Sequence, residues 1–378
     1  MKNIIVLGCG MVGRAIALDL SLSNSIIGVD VSPENLIRLA GVSNIRTVRA
    51  DLSRDTEISR LISGSDLVIN ALPGHLGFAV LRQVIGSNKD IIDISFFSED
   101  PFQLDGLARE KGVTAIVDCG VAPGMSNMIL GYHHKRMKIT SFHCLVGGLP
   151  VDRSWPYQYK APFSPVDVLE EYLRPARFKI NGKMIIKPAL SDSELVELEN
   201  VGTLEAFNTD GLRSLLCTVD IPEMIEKTLR YPGHIEYIKV LRDSGFLSSE
   251  PVNIRGNLVR PIDLTASLLF PLWQLEDNER EFTVMQINIR GYENGDNVEY
   301  QYDLLDRYDA ASGITSMART TGYTCTAVAD LLLRHVYSRK GISPPEFIGF
   351  QEGCLEQVLA YQEKKNITYN VTRKGSKC

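Results

Sequence analysis

Residues 3–20, NIIVLGCGMVGRAIALDL, join a short apolar run to a glycine-rich turn and then to an amphipathic helical pattern. The turn reads G-x-G-x-x-G, with Gly8, Gly10 and Gly13 at the three glycine positions. Between a strand and a helix, this motif is typical of a dinucleotide-binding site. Gly8 permits the tight turn, Gly10 lets the backbone approach a pyrophosphate, and Gly13 lets the helix lie close to the strand.

An acidic residue ends the next apolar run, because Asp30 follows directly after residues 25–29. A carboxylate there accepts hydrogen bonds from the adenosine ribose hydroxyls and repels a 2′-phosphate. Residues 31–34 contain no Arg or Lys to bind such a phosphate, so the pattern predicts NAD rather than NADP. The other predicted cofactor contacts are Met11 and Val12 at the start of the first helix, Asp51 after a third strand that should end at residues 48–50, and Ala71, Leu72 and Pro73 after a fourth strand at residues 67–70. For the residues after the third and fourth strands, the alternative is an ordinary start of a loop.

The first 125 residues alternate short apolar runs with amphipathic stretches. Runs such as 67–70 and 115–117 are typical of parallel strands that are covered on both faces. Strands and helices that alternate at this spacing predict a doubly wound parallel sheet of the Rossmann type over residues 1–125. The predicted strands are 3–7, 25–29, 67–70, 91–94 and 115–117, and the predicted helices are 13–20, 55–62 and 105–111.

The sequence changes character after about residue 137, where longer runs alternate with a period of two. Asn181-Gly182 and Asn294-Gly295 are hairpin-turn signals. We expect a mixed-sheet α+β substrate domain over residues 126–320 and a C-terminal segment, 321–378, that returns to the first domain. The predicted strands are 140–146, 177–180, 183–187, 204–208, 282–290 and 297–306, and the predicted helices are 165–173, 222–229, 321–336 and 354–364.

Composition excludes several classes of partner. A net charge of −6 and a pI near 5.6 leave no basic stripe for nucleic acid. No apolar run approaches the roughly 20 residues that span a bilayer, and the run after Met1 is too short for a signal peptide. The seven cysteines form no C-x-x-C pair, so their spacing predicts neither disulfides nor a metal site. We therefore expect a cytoplasmic protein that acts on a small molecule.

Longer stretches of sequence carry a family resemblance over almost the whole chain. They read ALPGHLG (71–77), DISF (93–96), DCGVAPGMSN (118–127), GGLP (147–150), SPVDVLEEYLRPAR (164–177), DGLRSL (210–215), TLRYPGH (228–234) and MARTTGYT (317–324). In this order they resemble the saccharopine dehydrogenase-like family, and within it the lysine 6-dehydrogenases most closely. Such ordered agreement is far more specific than the glycine motif alone.

The resemblance implies NAD-dependent oxidation of the terminal amine of L-lysine to 2-aminoadipate semialdehyde, which closes to 1-piperideine-6-carboxylate, with loss of ammonia. In the same fold, the alternative is reductive joining of a carboxylate or polyamine to an amine, as in saccharopine or carboxynorspermidine formation. From another class, the alternative is a sensor that binds NAD without turnover. The resemblance also implies a homodimer joined through the substrate domain, and strands between 282 and 306 favour it if they leave an apolar face.

An amino-acid substrate needs a cation for its carboxylate. A guanidinium can bind a carboxylate through two parallel hydrogen bonds, which favours Arg over Lys. Arg213 is the first candidate, followed by Arg174 and Arg177; the alternative for Arg174 is a structural pair with Glu170, four positions earlier on a predicted helix. Tyr159, in an aromatic stretch, is a candidate for closing the substrate pocket, unless that stretch is a packed surface loop.

Hydride can leave an amine-bearing carbon only if the amine is neutral, so a base must first remove a proton. Asp93, Asp118 and His234 are the candidates. Asp93 lies at the end of a predicted strand, where partial burial raises the pKa of a carboxyl group, and Asp118 follows another predicted strand. His234 titrates near neutral pH without adjustment, although a surface loop is the alternative location for it.

Overall fold

The computed structural model describes residues 1–276 and 278–376 of the chain. The strands are β1 (Asn3–Leu7), β2 (Ser25–Asp30), β3 (Ile45–Arg49), β4 (Leu67–Asn70), β5 (Ile91–Asp93), β6 (Thr114–Ile116), β7 (Lys138–Pro150), β8 (Ala176–Ile180), β9 (Lys183–Lys187), β10 (Glu194–Leu198), β11 (Gly202–Asn208), β12 (Glu223–Arg230), β13 (Val252–Ile254), β14 (Asn257–Val259), β15 (Glu281–Glu293), β16 (Asp296–Arg307), β17 (Gly341–Ser343) and β18 (Tyr369–Ser376). The helices are α1 (Met11–Leu20), α2 (Pro33–Ile37), α3 (Asp55–Ile62), α4 (Gly74–Gly86), α5 (Asp105–Glu110), α6 (Met125–His134), α7 (Pro165–Leu173), α8 (Leu215–Thr218), α9 (His234–Asp243), α10 (Pro261–Trp273), α11 (Ser316–Leu333), α12 (Pro345–Phe350) and α13 (Cys354–Glu363).

The first sheet is parallel and has the strand order β17-β6-β5-β4-β1-β2-β3. This order, with its reversal at β1 and β4, is that of a Rossmann sheet, and it confirms the predicted fold class. β1 is apolar from Ile4 onward because both of its faces are covered, and Ile4 through Leu7 are buried. The carboxyl ends of β1 and β4 lie side by side, with Leu7 opposite Asn70.

The second sheet has nine strands and mixed pairing, as the sequence predicted. Its main order is β10-β11-β12-β7-β15-β16-β18, with β8 and β9 attached beside β12. β12 runs parallel to β7, whereas its pairing with β11 and the pairing of β15 with β7 and β16 are antiparallel. β13 and β14 form a separate hairpin.

The C-terminal segment contributes to both sheets. β17 extends the parallel sheet by pairing with β6, and β18 pairs with β16 in the mixed sheet. α11 packs along α1, and three side chains of this segment bind one buried carboxylate there. Thr326 and Tyr361 donate hydrogen bonds of 2.7 and 2.6 Å to Asp19, and Lys365 forms an ion pair with it.

Two expectations about the second region are wrong. Residues 222–229 were predicted to be a helix, but Glu223–Arg230 forms β12 in the interior of the mixed sheet. The periodicity of such a short stretch is compatible with a helix or with a strand. Here the hydrogen bonds to the neighbouring strands favour the strand. The apolar side chains of residues 282–306 are also not left open, because Met285, Ile287 and Leu304 are buried in the core.

Other expectations from composition concern membranes, metals and thiols. Within residues 1–276 and 278–376, no helix is long and apolar enough to cross a membrane, and no cluster of His, Cys, Asp or Glu is placed to hold a metal ion. The six described cysteines are free thiols, and all of them except Cys217 are buried. Cys378 lies outside the described residues.

Candidate active site

A cavity of about 480 Å³ extends from the carboxyl end of the parallel sheet to the face of the mixed sheet. All of the residues predicted to contact the cofactor line it. They are Gly8, Gly10, Met11, Val12, Gly13, Asp30, Asp51, Ala71, Leu72 and Pro73.

The glycine turn has the shape that a pyrophosphate requires. α1 begins at Met11, immediately after Gly10, so its unpaired N–H groups open onto the cavity. A Cβ at Gly13 would lie 1.9 Å from the Gly8 carbonyl oxygen, and Gly8 itself has a φ of +90°. The helix therefore approaches the strand as closely as a dinucleotide site needs, and these residues fit a nicotinamide dinucleotide.

Asp30 lies at the position that contacts the adenosine ribose in such folds. Its carboxylate accepts backbone hydrogen bonds from Cys9 (2.7 Å) and Ser32 (2.8 Å), and it lines the cavity. A cation is present nearby on β3, where Arg49 Nε donates to the Val31 carbonyl oxygen at 3.2 Å, but Arg49 is not part of the cavity wall.

At the other end of the cavity, β12 presents alternate side chains to the interior. Glu226, Thr228 and Arg230 all line the wall. Sequence reasoning missed Glu226 because this segment was interpreted as a helix. The signal was the polar residue at every second position of residues 226–230, which is the period of a strand with one face on a polar site.

Arg213, the first candidate for the substrate carboxylate, is bound to other groups. Its Nε lies 2.8 Å from the carboxylate of Asp118, and its Nη1 donates to the Phe97 carbonyl oxygen at 2.7 Å. The side chains of Arg213 and Asp118 are only 5% and 1% exposed. Asp118 contacts the cavity, whereas Arg213 lies behind it. The structure thus brings these two candidates together as one buried ion pair.

The other two candidate arginines differ sharply from each other. Arg177 binds Asp210 through two hydrogen bonds of 2.8 Å. Arg174 lines the cavity and lies over the Phe96 ring, 4.5 Å from its centroid, and its buried Nη1 has no hydrogen-bond partner among the described residues. Burial and the nearby Arg213 lower the pKa of Arg174. No ion pair with Glu170 forms within the part of the chain that the structure describes.

Arg230 is held by a wall of aromatic and acidic side chains. Its Nε donates to the Tyr172 hydroxyl (3.0 Å), its Nη2 donates to the Tyr159 hydroxyl (3.4 Å), and it pairs with Glu171 at 3.2 Å. Tyr159 is buried behind Arg230 and is not part of the cavity wall. The candidate for closing the pocket is therefore placed to position Arg230.

The remaining candidate bases, Asp93 and His234, lie outside the cavity wall. Asp93 accepts hydrogen bonds from the Ser95 backbone and from Asn70, both at 2.7 Å, and burial raises its pKa to about 7. The two ring nitrogens of His234 contact the Tyr172 hydroxyl and the Tyr157 carbonyl oxygen, both at 2.9 Å. Burial, with a smaller effect from Arg230, lowers the pKa of His234 to about 3. His234 is therefore neutral, and both of its ring nitrogens already have hydrogen-bond partners.

Two family models cover nearly the whole chain. Residues 4–116 match the saccharopine dehydrogenase NADP binding domain, and residues 120–367 match the saccharopine dehydrogenase C-terminal domain. The chain belongs to the saccharopine dehydrogenase family.

Other members of the saccharopine dehydrogenase family share moderate identity with the chain. The saccharopine dehydrogenase (NADP(+), L-glutamate-forming) of Saccharomyces cerevisiae is 24% identical over 91% of this chain and 94% of its own. The enzyme of the same name from Pyricularia oryzae is 30% identical over 66% of this chain and 59% of its own length.

Solved structures of low identity show the same fold. The apo saccharopine dehydrogenase of Saccharomyces cerevisiae superimposes with a TM-score of 0.79 at 20% identity, with both chains fully covered. A homospermidine synthase from Legionella pneumophila, solved in complex with NAD, gives a TM-score of 0.68 at 12% identity over 99% of this chain and 91% of its own. Together with the two family models, this fold makes the chain an oxidoreductase of this family with a nicotinamide-binding Rossmann domain.

Proposed function

We propose that this chain is an NAD-dependent lysine 6-dehydrogenase. It oxidises the terminal amine of L-lysine to 2-aminoadipate semialdehyde, which closes to 1-piperideine-6-carboxylate, and it releases ammonia. The observation that supports this substrate is the set of ionisable side chains that remain without an ion-pair partner at the mixed-sheet end of the cavity.

Most charges at this end cancel one another within the protein. Buried ion pairs are satisfied internally, so they offer little net charge to a ligand. The buried pairs are Arg213 with Asp118 and Arg230 with Glu171, and Asp210 is paired in addition with Arg177, whose side chain is 44% exposed.

Three ionisable side chains on the wall at this end form no ion pair among the described residues: Arg174, Asp167 and Glu226. Asp167 accepts hydrogen bonds from the Gly74 backbone at 3.1 Å and from the Ser164 side chain. One guanidinium and two carboxyl groups complement one carboxylate and two ammonium groups, which are the charges of L-lysine. Saccharopine carries three carboxylates, and two of them would lie near Asp167 and Glu226 without a cation. The balance of charge therefore favours lysine.

The cofactor would occupy the Rossmann end of the cavity. Bound there, the nicotinamide would accept a hydride from the amine-bearing carbon. The N–H groups that follow Gly10 would hold the pyrophosphate, and Asp30 would accept hydrogen bonds from the adenosine ribose. Relatives of the chain carry NADP(+) in their names, but a carboxylate at Asp30 repels a 2′-phosphate, which supports NAD for this member.

A substrate series tests the proposal. We expect the highest kcat/KM for L-lysine. Cadaverine lacks the carboxylate that Arg174 would bind, so its kcat/KM should be roughly 30- to 700-fold lower. This corresponds to a loss of about 2–4 kcal/mol of transition-state binding. Turnover of saccharopine at a higher kcat/KM than L-lysine would refute the proposal and support the saccharopine dehydrogenase reaction.

A further inference from the structure

Glu226 lies at the mixed-sheet end of the cavity, on a strand that is paired on both sides. β12 lies between β7 on one side and β11 with β8 on the other, and the Glu226 backbone is in register with Cys144 of β7. The residue is 5% exposed, and it contacts the cavity.

This carboxyl group lacks the partners that buried carboxyls normally have. Its Oε2 accepts no hydrogen bond, and the side chain forms no ion pair, within residues 1–276 and 278–376. The neighbouring carboxyls differ, because Asp118, Asp210 and Glu171 each bind an arginine. A buried polar group that faces a cavity without a partner is costly unless a ligand supplies the partner.

The chain also makes room for this carboxylate. A Cβ at Gly211 would lie 1.7 Å from Glu226 Oε1. Any side chain larger than glycine at position 211 would therefore displace the carboxylate from its position against the loop that follows β11.

The surroundings of Glu226 disfavour its ionisation while the cavity contains no cation. Burial, followed by the nearby carboxylates, raises its pKa to about 8, and Arg213 lowers it only in part. An ammonium group bound beside Glu226 would stabilise its ionised carboxylate and so favour loss of the proton. The charged and titratable groups that face it are Glu171 on α7, Asp210 and Arg213 in the segment after β11, Asp118 after β6, and Cys144 on β7.

We propose that Glu226 binds the primary ammonium group that is to be oxidised and removes its proton. In this step one N–H bond of the ammonium breaks, an O–H bond forms on a Glu226 carboxylate oxygen, and the electron pair stays on nitrogen. Nothing is oxidised or reduced in the transfer itself. The identity of the amine as lysine rests on the proposed function, whereas the role of Glu226 requires only a primary amine.

The number of protons released when an amine binds to the full chain tests the role of Glu226 without turnover. NADH is bound first, because it cannot accept a hydride. L-lysine or cadaverine is then titrated calorimetrically in buffers of different ionisation enthalpy, which gives the number of protons released. At pH 7 we expect about one proton released per amine bound, since a cation displaces the proton that Glu226 holds below its pKa. At pH 9.5 the release should approach zero. Glu226→Gln should abolish the release at pH 7. The matched control is Glu223→Gln, on the same strand, whose carboxylate pairs with His143.

Turnover supplies the second readout. Glu226→Gln should lower kcat by roughly 10²- to 10⁴-fold and remove the acid limb of the pH–rate profile. Glu226→Asp should retain part of that limb. Gly211→Ala, which keeps the carboxyl group but displaces it, should lower kcat in the same direction.

The outcomes separate the two proposals. If cadaverine binding releases the proton and lysine is not oxidised, the substrate proposal fails and Glu226 keeps its role. If lysine is oxidised and Glu226→Gln retains both proton release and the acid limb, the role of Glu226 is overturned.

Discussion

Replacing Arg213 and Arg174 with Ala, one at a time, should have opposite consequences, although both were candidates for the same role. Arg213→Ala removes the partner of a buried carboxylate, Asp118, and a donor to the Phe97 carbonyl oxygen. Breaking a buried ion pair from one side costs about 3–5 kcal/mol. Arg174→Ala removes a guanidinium that has no ion-pair partner among the described residues, so its loss should cost little stability.

The assay is a thermal unfolding scan combined with steady-state kinetics for both variants. We expect Arg213→Ala to lower the unfolding midpoint by several degrees, since each kcal/mol shifts Tm by roughly 2–4 °C for a domain of 150–250 residues. Arg174→Ala should leave Tm nearly unchanged. It should lower kcat/KM for L-lysine by a factor that corresponds to about 2–4 kcal/mol, mainly by raising KM.

The reverse pattern would refute this reasoning. An Arg213→Ala variant with wild-type Tm and a greatly raised KM for lysine, together with an Arg174→Ala variant of wild-type KM, would place the carboxylate anchor at Arg213. In that case the ion pair with Asp118 would have to open when substrate binds.

Further predictions concern the cofactor, the candidate histidine, pH and assembly. NAD should bind about tenfold tighter than NADP, a difference of about 1.4 kcal/mol, and Asp30→Ser combined with Val31→Arg should erode this preference; equal affinities by calorimetry would count against it. His234→Gln should leave the acid limb of the pH–rate profile in place, because the low pKa keeps His234 neutral, and loss of that limb would restore it as the base. The free energy of unfolding should fall by a few kcal/mol between pH 6 and pH 9, and by less in Glu226→Gln. The folded-state pKa values of Asp93 (about 7) and Glu226 (about 8) lie above the unfolded ones. Their contribution to the free energy of unfolding is therefore complete below about pH 4 and is lost as the pH rises through 7 to 8. A free energy of unfolding that does not change between pH 6 and pH 9 would contradict this. The chain should be a homodimer, and a monomer by light scattering at micromolar concentration would contradict that.

The Rossmann half was predictable because its signals are local. The turn at Gly8, the helix that follows it and the carboxylate at Asp30 all lie within thirty residues of sequence. Each is required by the backbone geometry of a pyrophosphate site. β17 was not predicted, because three residues near the C-terminus carry too little pattern to show that they pair with β6.

The substrate end was harder to predict because partners distant in sequence decide it. Nothing near Arg213 in the sequence indicates that Asp118 will bind it, 95 positions away. Arg174 and Arg177 look alike in sequence, yet only Arg177 reaches Asp210. Predicting β12 requires knowledge of the strands that pair with it. Because residues 222–229 were predicted to be a helix, Glu226 was not recognised as a site residue.

The measurement that tests the account most directly is simultaneous detection of NADH and ammonium in a reaction of the purified chain with L-lysine and NAD. The proposed function predicts that both appear at equal rates. With saccharopine in place of L-lysine, we expect little NADH and no ammonium. NADH formation from saccharopine without ammonium release, in the absence of any reaction with L-lysine, would contradict the central claim.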